Sequence, residues 1–383
     1  MSRLEELIAE LCPEGVEYKL LPDVLKIQRG VRVVKKDLME NGLYPVYQNS
    51  LTPLGYYDKY NCEAGTTMII VAGAAGDILY SSKRFWAADD CFYFVCNEES
   101  LISKFLYYAL MVQQRKIYSK VRTASIPRLS RINIEKIRIP IPPLPVQGEI
   151  VRILDNFTEL TAELTAELTA RKKQYEYYRD KLLSNEWSAP LLPLGEVCTL
   201  QTGKAISASS ISDEQTKEYT IPCYGANGLR GYVKVANHKG NNPIIGRQGA
   251  LCGNVIYAQG KYYATEHAVV VEDKGYFNSR YLYHILVHVN LNRYKTAGAQ
   301  PGLSVSRLEK VKVSVPDMLV QDKIANVLDH FDAICSDLKI GLPAEIEARK
   351  KQYEYYRDQL LTFAESGRML VDRQTDRQTD RRV

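Results

Sequence analysis

The chain of 383 residues lacks most of the signals that announce an enzyme or a membrane protein. No apolar run approaches the roughly 20 residues that a membrane-spanning helix needs. The first stretch, MSRLEELIAELCPEG, interleaves acids with apolar residues where a signal peptide keeps an apolar core. A cytoplasmic protein with no membrane partner is therefore expected. The eight cysteines are scattered without a CxxC pair, which removes the usual zinc and dithiol spacings and fits reduced thiols. There is no GxxxxGK[ST] phosphate loop, and no glycine-rich strand-to-helix turn to hold a methyl donor or dinucleotide. Histidine is sparse: of the five, only His284 and His288 share a helix face, in an apolar stretch without further ligands nearby, so core packing is expected of them rather than a metal. The sequence nominates no catalytic residue, no metal ligand and no cofactor bound by this chain.

What is present is ordinary in bulk, with 45% hydrophobic and 25% charged residues. The formal charge of +5 and pI near 8.6 suit a polyanionic partner without establishing one. Tyrosine is the unusual count, at 27. Its rigid ring with a polar tip favours a recognition protein, and a tyrosine-rich core is the plainer alternative. The tail DRQTDRQTDRR repeats a tetrad without apolar residues and reads as disordered.

The chain is also written twice. RKKQYEYYRD occupies residues 171–180 and returns unchanged at 349–358. Upstream, Gln147 and the run Ile153-Leu154-Asp155-Asn156-Phe157 are echoed by Gln321 and Val327-Leu328-Asp329-His330-Phe331. Earlier still, Tyr44-Pro45-Val46-Tyr47 resembles Ile221-Pro222-Cys223-Tyr224, and Ala88-Asp89-Asp90 corresponds to Thr265-Glu266-His267. Each half reads as a strand-rich globular unit followed by a helical segment, an internal duplication.

From Gln147 to Leu183 apolar residues recur at 3–4 spacing with no proline, and no glycine after Gly148, which predicts one long amphipathic helix. In the second copy Gly341-Leu342-Pro343 must break or kink it. Between Phe157 and Arg171 lie 13 residues, and between Phe331 and Arg349 lie 17. The difference is the length of one TAEL word, which is spelled twice between Thr161 and Leu168, with a partial copy at Thr158-Glu159-Leu160. Helices this long need an apolar partner, and the two copies packed antiparallel supply one. Four residues add about 6 Å and turn the far end by roughly 40°, so the rod can act as a ruler between the two units. The boundaries expected are 1–145 for the first globular unit, 146–184 for the central helix, 185–318 for the second unit, 319–363 for the C-terminal helix and 364–383 for the tail.

Two similar units on a rod suggest two binding events at a fixed separation, such as half-sites one DNA turn apart, about 34 Å. Candidate base-reading side chains lie in loops between strand-like runs: Gln48, Asn49, Ser50, Asp89 and Asp90 in the first unit, and Asn227, Arg247, Gln248, Glu266 and His267 in the second. Candidate phosphate-holding residues precede each helical segment: Arg115, Lys116, Lys120, Arg122 and Arg128, then Arg293 and Lys295. Asn, Asp and Gly also serve merely to shape loops, and that alternative stands beside each of them.

The TAEL words, the twin RKKQYEYYRD segments and the PxxxQ leads into the helices (Pro143 to Gln147; Pro316 to Gln321, one residue longer) resemble the specificity subunits of Type I restriction–modification enzymes, over residues 10–363, and among them the IC subgroup with its TAEL repeats. The resemblance implies an α+β fold: two similar strand-rich target recognition domains joined by two long antiparallel coiled-coil-like helices, with pseudo-twofold symmetry. It implies that each domain reads half of an asymmetric bipartite target in double-stranded DNA. It implies that the TAEL count sets a gap, here about six base pairs between half-sites one turn apart. The helices would dock two modification subunits, which carry S-adenosylmethionine, while restriction/translocase subunits bring ATP and Mg2+. Tyr175, Tyr177, Tyr178, Arg179, Tyr353, Tyr355, Tyr356 and Arg357 are the candidates for subunit docking, since one partner bound twice calls for one surface presented twice; some of these tyrosines must instead close the helix pair. The chain itself would do no chemistry. Two rival readings remain: a stand-alone protein with two ligand-binding domains on a coiled coil, and a fused enzyme, which would need methyltransferase and nuclease motifs.

Overall fold

A computed structural model describes residues 2–123, 125–184, 189–249, 252–296, 301–336 and 340–366. The DRQT tail lies outside the described residues. The chain divides into two compact units: residues 1–163 with 346–383, and residues 164–345.

In the first unit the elements are α1 (Arg3–Leu11), β1 (Tyr18–Leu20), α2 (Leu21–Val24), β2 (Leu25–Arg29), β3 (Tyr44–Tyr47), β4 (Gly55–Tyr57), β5 (Thr66–Ile70), β6 (Ile78–Ser81), β7 (Trp86–Ala87), β8 (Cys91–Cys96), α3 (Ser103–Val112), α4 (Gln114–Tyr118), α5 (Arg131–Glu135), β9 (Arg138–Pro140) and the start of α6 (Leu144–Leu183). The second repeats the plan with β10 (Leu191–Pro193), α7 (Leu194–Val197), β11 (Cys198–Thr202), β12 (Ile221–Gly225), β13 (Gly228–Val233), β14 (His238–Lys239), β15 (Asn242–Gly246), β16 (Val255–Ala258), β17 (Lys261–Ala264), β18 (Ala268–Asp273), α8 (Ser279–His288), α9 (Val305–Leu308), β19 (Lys312–Ser314) and α10 (Met318–Ser336). A last helix, α11 (Leu342–Ser366), follows.

Each unit holds an antiparallel four-stranded sheet, β2-β8-β5-β6 in one and β11-β18-β15-β16 in the other. A second sheet lies beside each, β4-β3-β7 and β13-β12-β17-β14, in which β3 runs parallel to β7 and β12 to β17. The central strands of the four-stranded sheets, β8 and β5 in one and β18 and β15 in the other, bury apolar residues on both faces because both faces are covered. Along β8, Phe92 and Phe94 enter the cluster that includes α3, whereas Cys91 and Tyr93 enter the one beneath the smaller sheet. Along β18, Val269 and Val271 face α8, and Ala268 and Val270 face the other way. This is the period-2 alternation of a strand buried twice.

The helix expected from Gln147 to Leu183 is observed as α6, 40 residues long, or roughly 60 Å at about 1.5 Å per residue. Pro145 falls in its first turn, where a missing N–H costs nothing. The compact units do not follow the written repeat. The start of α6 (Val146, Ile150, Leu154) and the end of α11 (Leu360, Leu361, with Tyr353 alongside) share the first core. The end of α6 (Leu183, with Tyr175 and Leu182 alongside) and α10 (Ile324, Ala325, Leu328) share the second. Each RKKQYEYYRD phrase thus packs with the globular unit that does not immediately precede it. In the second unit Tyr178 stacks on Phe331 at 5.6 Å while Leu182 and Leu183 join Leu328 and Ile324, so α6 and α10 run antiparallel there. In the first unit Phe157 stacks on Tyr356 at 5.4 Å. α10 ends at Ser336 and α11 starts at Leu342, with Pro343 in its first turn.

The leads into the helices are of equal length. Gln147 is fully buried and bonds the Pro142 and Ser100 carbonyls (2.7 and 2.8 Å) while accepting from the Ile102 N–H (2.9 Å). Gln321 does the same with the Pro316 and Tyr276 carbonyls and the Asn278 N–H. Pro142, not Pro143, is the counterpart of Pro316, and this corrects the spacing read from the sequence.

Candidate nucleic-acid interface

The corresponding positions of the two units are set by hydrogen bonds. In the first, a four-residue turn joins β7 to β8: the Cys91 N–H donates to the Ala88 carbonyl (3.0 Å), and Asp89 and Asp90 are its central residues. In the second, the Ala268 N–H donates to the Thr265 carbonyl (3.0 Å), around Glu266 and His267. Both turns are pinned alike. Ala88 N–H donates to Tyr47 O and Thr265 N–H to Tyr224 O; Val71 N–H donates to Asp90 O and Arg247 N–H to His267 O. A glycine closes each from the side, Gly30 beneath Ala88 and Gly203 beneath Ala264 and Thr265, where a Cβ would sit 2.1 and 2.2 Å from a carbonyl oxygen. The pairing of Ala88-Asp89-Asp90 with Thr265-Glu266-His267 is thus a structural equivalence.

Around the first turn lies a cleft of about 510 Å³ lined by Asp89, Asp90, Lys120, Arg122 and Arg128, five of the nominated residues. Arg122 and Arg128 face each other through two backbone hydrogen bonds of 2.8 and 3.1 Å. Four polar residues not nominated from the sequence join them: Arg29, Ser130, Arg131 and Asn133. Arg29 closes β2 and donates Nε to the Asp89 carbonyl at 3.0 Å. Arg131 and Asn133 open the short helix α5, whose cap is Ser130. Their only signal was an arginine next to Gly30 and a serine cap ahead of a cationic first turn. Gln48 reaches the group through Asp90 Oδ2, at 3.4 Å. Asn49 and Ser50 do not line the cleft; Asn49 is exposed, and Ser50 donates to Thr52 O within its own loop (2.9 Å). Arg115 and Lys116 lie exposed on α4.

The second turn carries other chemistry on the same backbone. Arg247 stands where the first unit has Val71, and Gln248, bridged to Gly302, where it has Ala72, bridged to Arg128. The basic pair Arg122 and Arg128 has Thr296 and Gly302 as counterparts, joined by the equivalent hydrogen bond of 2.9 Å. Lys295 is exposed beside Thr296. Asn227 sits in the tight turn between β12 and β13, just before Gly228 at φ +106°. Glu266 Oε1 lies 3.2 Å from His267 Nε2.

Six side-chain polar atoms are buried without a partner among the described residues, and five of them belong to these two loci: Asp89 Oδ1 in one unit, and Arg247 Nε, Thr265 Oγ1, Glu266 Oε2 and His267 Nδ1 in the other. An unmet buried polar group costs about 1–3 kcal/mol, so their concentration sets the two turns apart from the rest of the described residues. Elsewhere the polar groups serve the fold. His284 is fully buried with Nε2 2.6 Å from Asp329 Oδ1, and His288 Nδ1 lies 3.2 Å from Asp180, so the two take different carboxylates. Among the described residues no three His, Cys, Asp or Glu side chains gather as a metal would require. No described helix is long and apolar enough to cross a membrane. Burial pushes the Cys62 and Cys91 thiols up to about 12.

The signature of the Type I restriction modification DNA specificity domain matches twice, over residues 13–171 and 191–348. This chain belongs to that family. It is 44% identical over 249 residues to the Type I restriction enzyme EcoprrI specificity subunit of Escherichia coli, a stretch that spans 61% of this chain and 62% of that subunit. It is 31% identical to the EcoR124I/EcoR124II specificity subunit of Escherichia coli over 95% of this chain and 97% of that one. Its fold is similar to the crystal structure of the S subunit of a Type I restriction–modification system from M. genitalium, with a TM-score of 0.70 at 20% identity, covering 91% of this chain and 97% of that one.

The repeated aromatic phrase sorts in the same way in both copies. Tyr175 and Tyr353 pack against their units' cores, where burial pushes both phenols up to about 12. Arg179 lies over Tyr175 and pairs with Asp180; Arg357 lies over Tyr353 and pairs with Asp358. Tyr178 and Tyr356 stack on Phe331 and Phe157. Tyr177 and Tyr355 point outward, 61% and 59% exposed.

Proposed function

We propose that this chain is the DNA-reading subunit of a Type I restriction–modification complex, that each unit reads one half of an asymmetric bipartite site, and that the chain performs no catalysis. The observation that carries this reading is the pair of turns: one backbone frame, built twice, with acidic residues amid cations in one copy and Glu266, His267 and Arg247 in the other. Carboxylate, guanidinium and imidazole groups at loop tips are what discriminate base edges in the major groove, and Arg122, Arg128 and Lys120 suit flanking phosphates.

Tyr177 and Tyr355, both exposed at the same place in the repeated phrase, form the repeated docking point for two modification subunits, which bring S-adenosylmethionine; ATP and Mg2+ belong to restriction subunits that join them. α6 with its TAEL words sets the gap between half-sites at about six base pairs, as in the IC subgroup, and the complex works in the cytoplasm.

The test is a methylation map of DNA from cells carrying the modification subunit with and without this chain. A single bipartite motif that depends on the chain, with a gap near six, is expected. The absence of any chain-dependent motif overturns the reading; a different gap overturns only the ruler.

A further inference from the structure

Asp89 is poorly explained by phosphate binding, because a carboxylate in a cleft that takes the DNA backbone is repelled by that backbone unless it meets a donor. Its surroundings sharpen the point. Arg29, Lys120, Arg122, Arg128 and Arg131 line the same cleft, yet among the described residues none forms an ion pair with Asp89. Arg29 commits Nε to the main-chain oxygen of Asp89, and Arg131 pairs with Glu135 at 2.7 Å. The Asp89 carboxylate is left with Oδ1 buried and unpartnered, on a turn fixed by backbone hydrogen bonds on both sides and closed from below by Gly30. Lys120, Arg122 and Arg128 line the cleft and suit anions, while the carboxylate needs a donor.

The donors a major groove offers are the N4 amino group of cytosine and the N6 amino group of adenine. Adenine carries the N7 acceptor beside its amine, which repels a carboxylate; cytosine has no acceptor there. The guanine paired with that cytosine presents O6 and N7, both acceptors suited to a neighbouring guanidinium. Resting on the function proposed above, we infer that Asp89 is a specificity-determining residue of the first unit that accepts a hydrogen bond from cytosine N4 in that unit's half-site. In the second unit Glu266 stands in the same place, with Oε1 3.2 Å from His267 Nε2 and Oε2 also unpartnered, so the inference is drawn for Asp89 and the first half-site alone.

The full chain, assembled with its modification subunits, is used to select duplexes from a pool randomised across both half-sites and the gap. The wild type is expected to enrich cytosine at one position of one half-site. Asp89→Asn, which loses the carboxylate charge and carries a donor and an acceptor that suit the N6/N7 edge of adenine, is expected to lower that preference roughly tenfold and to leave the other half-site unchanged. Asp89→Glu is expected to keep cytosine. An unchanged cytosine preference in Asp89→Asn overturns the inference, and so does an equal weakening at every position of that half-site in both variants, the mark of a positioning role. A wild-type motif lacking cytosine from both half-sites overturns it as well. A wild type that selects no bipartite sequence overturns the function proposed above, and the inference with it.

Discussion

The two units are most alike where they touch themselves and least alike at the tips of the turns after β7 and β17. Gln147 and Gln321 make the same three hydrogen bonds. Asn61 and Asn237 clamp Ala87 and Ala264 with the same pair of amide bonds. Tyr356 on Phe157 and Tyr178 on Phe331 stack at nearly the same distance and angle. At the turns after β7 and β17 the backbone is again the same, but the side chains have nothing in common beyond one acid. Duplicated carriers with diverged tips are what a fold that holds exchangeable sites would show, in keeping with the function proposed above.

The largest effect expected from disturbing this likeness is at the buried glutamines. Gln147→Leu and Gln321→Leu each strand one N–H and two carbonyls in the interior, and each is expected to cost about 3 kcal/mol in chemical denaturation. Equal losses sustain the equivalence, and a loss in only one breaks it.

A pH difference is next. Asp155 accepts from Tyr108 in the first unit, where Asp329 faces His284 in the second. Burial holds the His284 imidazole below its ordinary value of 6.5, against the opposing pull of Asp329. The unfolded chain therefore takes up this proton first, and the stability it contributes is present above pH 6.5 and drains as pH falls through the lower folded value. Burial raises the Tyr108 phenol, so its proton stays on throughout that range. Hydrogen-exchange protection of α8 is expected to fall between pH 7.5 and 5.5 relative to that of α3. Parallel behaviour of the two helices would contradict this.

Smaller still is the contrast within the repeated phrase. Tyr178→Ala or Tyr356→Ala removes a stacked pair and is expected to cost about 1 kcal/mol. Tyr177→Ala and Tyr355→Ala, at exposed positions, are expected to cost under about 0.5 kcal/mol while weakening co-purification of the modification subunit. Normal co-purification by the double variant would remove Tyr177 and Tyr355 from the docking surface.

Much of this was legible in the sequence because a duplication leaves two copies to compare. The helix α6, the twin strand-rich units and the turn pair Asp89-Asp90 and Glu266-His267 all came from in-order echoes and periodicity. Four things did not. That each RKKQYEYYRD phrase packs with the other unit is a matter of chain path, on which residue spacing is silent. Arg29 and Arg131 reach the cleft only through the pairing of β2 with β8 and the placing of α5, so neither lies near the turn in sequence. Asn49 and Ser50 look like Gln48 in composition, and only the loop's direction separates them. The proline lead was misaligned because Pro142 and Pro143 are adjacent and only the carbonyl accepted by Gln147 tells them apart.

The claim at the centre is that tips and carriers are separate modules, the tips choosing bases and the helix choosing distance. Deletion of Thr165 to Leu168, one TAEL word, tests it most directly when the methylated motif is mapped for the deleted and the wild-type chain. Removing four residues shortens the helix by about 6 Å, somewhat under two base pairs at about 3.4 Å each. The expected result is the same two half-sites with the gap shortened by one or two base pairs. Altered half-site bases, or an unchanged gap with methylation retained, would contradict the account.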